Sequence, residues 1–64
     1  MKVILPDQTV RVMEKPPGTV GALLHEIGIT PLEVIVSRDG KLVPEQATIG
    51  KDDEIRIIRI AHGG

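Results

Sequence analysis

The chain has 64 residues, eight basic and nine acidic side chains for a formal net charge of -1, no cysteine and no aromatic residue. That length allows one thin-cored domain, and the missing cysteines exclude both a disulfide framework and a zinc ribbon. The missing aromatic faces and the absence of a like-charge run argue against single-stranded nucleic-acid binding.

Lys2 to Leu5 is a short aliphatic run stopped by Pro6-Asp7, and its Met1–Pro6 surroundings are too short for a signal peptide or a membrane span. A cytoplasmic protein is the expectation. Thr9 to Met13 alternates, with Val10 and Val12 on one face and Thr9, Arg11 and Met13 on the other. The two runs, joined by a tight Pro6-Asp7-Gln8 turn, read as a β-hairpin. Pro16-Pro17-Gly18 marks a loop. Thr19 is a good N-cap, and Val20, Leu23, Leu24 and Ile27 fall at i, i+3, i+4 and i+7, the stripe of an amphipathic helix that Gly28 is placed to end.

Thr30-Pro31 opens a connection to Val34-Ile35-Val36, a β-branched run that reads as a buried strand. Asp39-Gly40 is a hairpin turn, because both residues tolerate positive φ. Lys41 to Val43 returns, and Pro44 limits that strand to an edge or an end. Glu45 to Gly50 reads as irregular, Lys51-Asp52-Asp53 as a polar turn and Glu54 to Ile60 as the last strand. The order is β-β-α-β-β-β, and the helix has only one sheet face against which to bury its stripe. If the first and last strands pair mid-sheet they run parallel; pattern alone leaves that pairing open.

Three segments resemble a known family. Thr19-Val20-Gly21-Ala22-Leu23-Leu24 is similar to the helix start of the ThiS/MoaD sulfur carriers, and Asp39-Gly40-Lys41-Leu42-Val43-Pro44 to the ThiS hairpin. The end, Asp53 to Ile60 followed by Ala61-His62-Gly63-Gly64, resembles the family's last strand and terminal Gly-Gly; small archaeal ubiquitin-like modifiers share this segment equally well. Asp52 departs from the glycine common there, and an Asp turn still forms. The resemblance implies an α+β protein of the β-grasp (ubiquitin-like) class, a mixed sheet with one helix packed on one face. Residues 1–60 are expected to form that single domain, and residues 61–64 a flexible reactive tail.

It also implies a chemistry. In the family an E1-like (ThiF/MoeB-type) adenylyltransferase uses ATP to convert the terminal carboxylate to an acyl-adenylate, so the carrier itself binds no cofactor. A free α-carboxylate has a pKa of about 3.5 and is ionised at neutral pH. Glycine has no Cβ, so Gly63 and Gly64 can approach a nucleotide closely. A persulfide then attacks, and Gly64 ends as a thiocarboxylate for an acceptor such as thiazole synthase, the molybdopterin synthase large subunit or a tRNA thiolase. With no cysteine in the chain, that sulfur comes from outside. Sulfur carriage is the leading reading, and among its pathways the Leu42-Val43-Pro44 hairpin leans toward ThiS. The alternative is a protein modifier joined through Gly64 to target lysines, and a plain β-grasp adaptor is a third class.

Nothing in the chain argues for catalysis of its own. His25 and His62 lack a second metal-type ligand at i+3 or i+4; His25 with Glu26 reads as an exposed helix pair, and His62 as a tail residue that a partner can contact. Asp52, Asp53 and Glu54 read more simply as a turn than as paired carboxylates, and no Gly-Lys-Ser/Thr follows Gly18 and Gly21 to make a phosphate loop. In the last strand Ile55, Ile57 and Arg59 share one face, and Arg56, Ile58 and Ile60 the other. Ile55 and Ile57 are expected in a core with Leu23, Leu24, Ile27, Val34 and Val36. Ile58 and Ile60 are then an apolar docking strip, with Arg56 and Arg59 at its edges; scattered surface isoleucines are the plainer alternative.

The tail expectation has its own test. Backbone relaxation measurements are expected to find Gly63 and Gly64 far more mobile than Ile57; equal rigidity refutes the assignment.

Overall fold

The computed structural model describes residues 1–60, so the expected tail, Ala61 to Gly64, lies outside the described residues. Strand β1 (Lys2–Ile4) turns into β2 (Val10–Val12), helix α1 (Val20–Ile27) follows, then a 3-10 turn (Pro31–Glu33), β3 (Val34–Arg38), β4 (Lys41–Val43) and β5 (Glu54–Arg59). The sheet order is β2-β1-β5-β3-β4. Strands β1 and β5 are parallel, with Val3 opposite Ile55, and the remaining neighbours are antiparallel. This mixed five-stranded sheet carrying one helix is the β-grasp architecture.

Local chemistry explains the elements. In the first hairpin Leu5 N donates to the Thr9 carbonyl at 2.8 Å, leaving a three-residue loop in which Gln8 takes φ 74°. Asp7 stiffens that loop: its Oδ1 accepts from Thr9 Oγ1 at 2.6 Å and from Thr9 N at 3.0 Å. The Thr9 hydroxyl bond, with the backbone bond second, holds the Asp7 carboxyl below its ordinary value. A depressed carboxyl contributes stability above its unfolded pKa and loses it as pH falls through the folded one. Asp39 and Gly40 take φ 50° and 87°, a two-residue turn with positive φ at both positions, matched to the twist of a hairpin.

The helix is capped at both ends. Thr19 Oγ1 accepts from Ala22 N at 3.1 Å. Gly28 sits at φ 78°, and the Gly28 and Ile29 amides donate to the His25 and Leu24 carbonyls at 3.2 and 2.9 Å. That reciprocal pair closes the last turn and needs the left-handed conformation glycine supplies. The segment expected to be irregular, Glu45 to Gly50, has a defined task. Its Glu45 and Ala47 carbonyls accept from the Gly21 and Val20 amides at 2.8 and 3.0 Å, and Ile49 N donates to the Gly18 carbonyl at 2.9 Å.

The core lies between the helix and the sheet face it covers. Leu23, Leu24, Val34, Val36, Ile55 and Ile57 are buried as expected. Ile27 is only partly buried and packs against the cluster. Met1, Val3, Val20 and Ile49 are buried as well. One strand expectation needs correction: Val34-Ile35-Val36 is not buried throughout. Ile35 remains 40% exposed, because side chains alternate along a strand and a single helix covers one face only.

Ile57, 1% exposed at the centre of this cluster, tests the arrangement. Ile57→Ala is expected to cost about 2–5 kcal/mol, a large part of what so small a chain has. An unchanged thermal melting curve contradicts the placement.

Candidate functional site

The C-terminal half of β5 is built from two opposite faces. Ile55 and Ile57 point to the helix, so Arg56 and Ile58 lie on the open face. Register places Ile58 opposite Ile35, and Arg56 opposite both Ile4 and Ser37. Ile58 and Ile60 are each 39% exposed, so aliphatic surface runs from β3 across β5 to the end of the described chain. The sheet's edges extend it at Val10 and Leu42, which are exposed and fall in the same cross-strand row as Arg56.

The two arginines do different things. Arg56 sits within the apolar strip and takes part in no ion pair among the described residues. The expected placement of Arg59 at the strip's edge is corrected. Arg59 belongs to the opposite register, facing Val34, and its Nη1 lies 3.8 Å from Glu33 Oε2. Both partners are half exposed, so the pair contributes at most about 1 kcal/mol. Its consequence is geometric. The Glu33 carbonyl also accepts from Ile60 N at 2.9 Å, so the 3-10 turn grips the end of β5 by backbone and side chain. Between β5 and the first hairpin lies a shallow groove of about 200 Å³, lined by Ile4, Pro6, Gln8, Arg56, Ile58 and Arg59 among others.

The remaining candidates have structural tasks. Asp53 Oδ2 accepts from Gly50 N at 2.7 Å, closing the turn before β5. Glu54 N donates to Asp39 Oδ1 at 3.0 Å, and Asp39 N to the Glu54 carbonyl at 2.9 Å, locking the second hairpin to β5. Glu54 also faces Lys2 at 3.6 Å. His25 and Glu26 are exposed on the helix. Gly21 serves packing: a Cβ there would stand 3.3 Å from the Glu45 carbonyl oxygen, the atom its own amide binds. The first amides of α1 are thus taken up by protein carbonyls. Among the described residues no group of three or more His, Cys, Asp or Glu side chains is placed to hold a metal. His62, Gly63 and Gly64 lie outside the described residues.

Sequence reasoning missed Ile35, Leu32 and the edge valines as surface features. Period-2 alternation in β3 does contain Ile35, once Val34 and Val36 are assigned to the core. Leu32 belongs to a 3-10 turn for which Thr30-Pro31 was the only signal.

The family model described as small archaeal modifier protein 2 matches residues 2–61. The chain belongs to that family. Small archaeal modifier protein 2 of Haloferax volcanii is 30% identical to it over 61 residues, 95% of this chain and 91% of that one. Small archaeal modifier protein 2 is a ubiquitin-like protein and not an enzyme. Membership favours the modifier reading over a ThiS or MoaD sulfur-carrier role.

The two faces of β5 give a paired test. Ile58→Asp is expected to fold, with a loss under about 1 kcal/mol, because its carboxylate remains hydrated on the open face. Ile57→Asp, placing an unpaired charge in the core, is expected not to fold. Circular dichroism melts of both variants check this; equal effects contradict the assignment of faces.

Proposed function

We propose that this protein is a ubiquitin-like modifier, joined through the Gly64 carboxylate to lysine side chains of cytoplasmic target proteins after activation by an E1-like adenylyltransferase. The observation that carries the proposal is the family match across residues 2–61, on a β-grasp sheet whose last strand leads into Gly63-Gly64. With Gly64 terminal, a carboxylate oxygen attacks the α-phosphorus of ATP and pyrophosphate leaves. The acyl-adenylate that forms is electrophilic. A lysine amine attacks its carbonyl carbon, AMP departs and the nitrogen loses a proton, leaving an isopeptide bond. The modifier supplies the reacting carbon and a docking surface, and ATP and catalysis belong to the partner. Ile58, Ile60 and Arg56 are the proposed contacts for the activating enzyme, with Arg59 positioning the strand end and His62 adding a polar contact. No nucleic acid or membrane enters the proposal. Among the described residues no helix is long and apolar enough to cross a bilayer.

Sulfur carriage is the second reading, and the Asp39 to Pro44 hairpin, similar to that of ThiS, supports it. It shares the adenylate and diverges when a persulfide of the partner enzyme, in place of an amine, attacks the carbonyl carbon and AMP departs; a second enzyme thiol then cleaves the S–S bond of the acyl disulfide, forming an enzyme disulfide and releasing the thiocarboxylate. Co-expression with the activating enzyme separates the two. Trypsin cuts after Arg59, the last basic residue, so conjugation leaves Ile60-Ala61-His62-Gly63-Gly64 as a branched remnant on target lysines. A thiocarboxylate instead appears in the intact mass as one oxygen replaced by sulfur.

Deleting Gly64 is expected to leave docking intact and to reduce ATP–pyrophosphate exchange at least about 100-fold, since even a misplacement of about 1 Å has that effect. Ile58→Asp is expected to do the reverse, weakening docking because a carboxylate is desolvated in an apolar contact. Exchange at the wild-type rate by the Gly64 deletion overturns the proposal.

A further inference from the structure

The most exposed large apolar side chain is not on the sheet. Leu32 is 85% exposed, at the middle of the 3-10 turn Pro31–Glu33, and it takes no part in the core. The turn that carries it is firmly held. Pro31 sets its first φ, Glu33 N donates to the Thr30 carbonyl at 3.1 Å, and Val34 N closes on the Pro31 carbonyl. From the other side the Glu33 carbonyl accepts from Ile60 N at 2.9 Å, and its carboxylate meets Arg59 at 3.8 Å. Leu32 is thus one residue away from a direct backbone link to the root of the tail. A leucine is not needed for the turn itself, and its exposure in the free protein leaves apolar surface in water.

The length of chain between that root and Gly64 limits what can stand near it. Four residues follow Ile60, and at about 3.3–3.6 Å each they span at most about 14 Å. An enzyme that encloses Gly64 therefore has its wall within about 14 Å of Ile60, and the surface around Ile60 is what that wall must meet. Ile35, Ile58 and Ile60 are the exposed large apolar side chains at this end of the sheet, and Leu32 is joined to it through the hydrogen bond between its neighbour Glu33 and Ile60. Val12 is a comparable exposed side chain at the other end. It is level with Lys2 and hence with Glu54, six residues before Ile60, or about 20 Å along the strand.

We infer that Leu32 is a docking anchor for the adenylating enzyme, inserted in an apolar recess of that enzyme while the tail reaches its nucleotide site. The inference rests on the reading of this chain as a modifier activated at Gly64. A rigid turn suits the role, since an anchor already ordered in the free protein loses little conformational freedom on binding. Because the anchor contacts the enzyme in ground state and transition state alike, it acts on the Michaelis constant and not on turnover.

The test measures ATP–pyrophosphate exchange by the cognate E1-like enzyme against concentration of the full chain. Leu32→Ser is expected to raise KM for the modifier about tenfold with kcat and melting temperature unchanged, and Leu32→Met, which keeps an apolar side chain of similar volume, to restore KM. Val12→Ser is expected to leave KM where it was. An unchanged KM for Leu32→Ser, or an equal rise for Val12→Ser, overturns the anchor while leaving the modifier reading standing. Failure of the wild-type chain to support exchange overturns both.

Discussion

The parallel pairing of β1 with β5 is the constraint on which the rest of the molecule depends. The first and last strands lie side by side at the middle of the sheet, with Val3 and Ile55 directly opposed and both fully buried. Parallel neighbours cannot be joined by a tight turn and require a crossover. The helix is part of that crossover, and it lands on one face. Every other disposition follows: the two hairpins become the flanks, their outer strands become edges, and among the described residues no element covers the opposite face.

So few residues leave little redundancy in how the covered face is sealed. An eight-residue helix is too short to persist by itself. It is held by the Thr19 cap, by the left-handed close at Gly28 and by the loop that runs from Pro44 to Gly50. That loop contributes two carbonyls to the helix N-terminus and the buried side chain of Ile49 to the core. The glycine at position 21 is what allows the loop backbone to come so close.

The same economy suits a passive partner in a reaction. The open face needs no chemistry if an enzyme supplies it, only stable placement of apolar contacts relative to a short tail. β5 serves both requirements at once, with alternate side chains locked in the core or presented outward. At its end the strand is clasped by Glu33, through a carbonyl to Ile60 and a carboxylate to Arg59, so contacts and tail root are held in one rigid frame. Under the proposed function, placement matters more than binding strength, because an activated carbon must meet its nucleophile in a narrow range of distance and angle.

Much of this was legible in one dimension. The helix stripe from Val20 to Ile27, the caps at Thr19 and Gly28, the Asp39-Gly40 turn and the two faces of β5 are local periodicities and local dihedral preferences, and these the residues themselves determine. The candidate strip at Ile58 and Ile60 came from the same alternation, and Gly63-Gly64 from composition and resemblance. Tertiary structure decided what depends on who stands opposite whom. It put β1 beside β5, left Ile35 in solvent where a β-branched run suggested burial, and buried Ile49 from a stretch without pattern. It also separated Arg56, in the strip, from Arg59, tied to Glu33. Leu32 carries no periodicity at all, and its place beside the tail root arises from one long-range backbone hydrogen bond. Side-chain alternation is a property of a strand, readable along the chain; cover is a property of its neighbours, and a single helix over a five-stranded sheet decides which half of that alternation meets water.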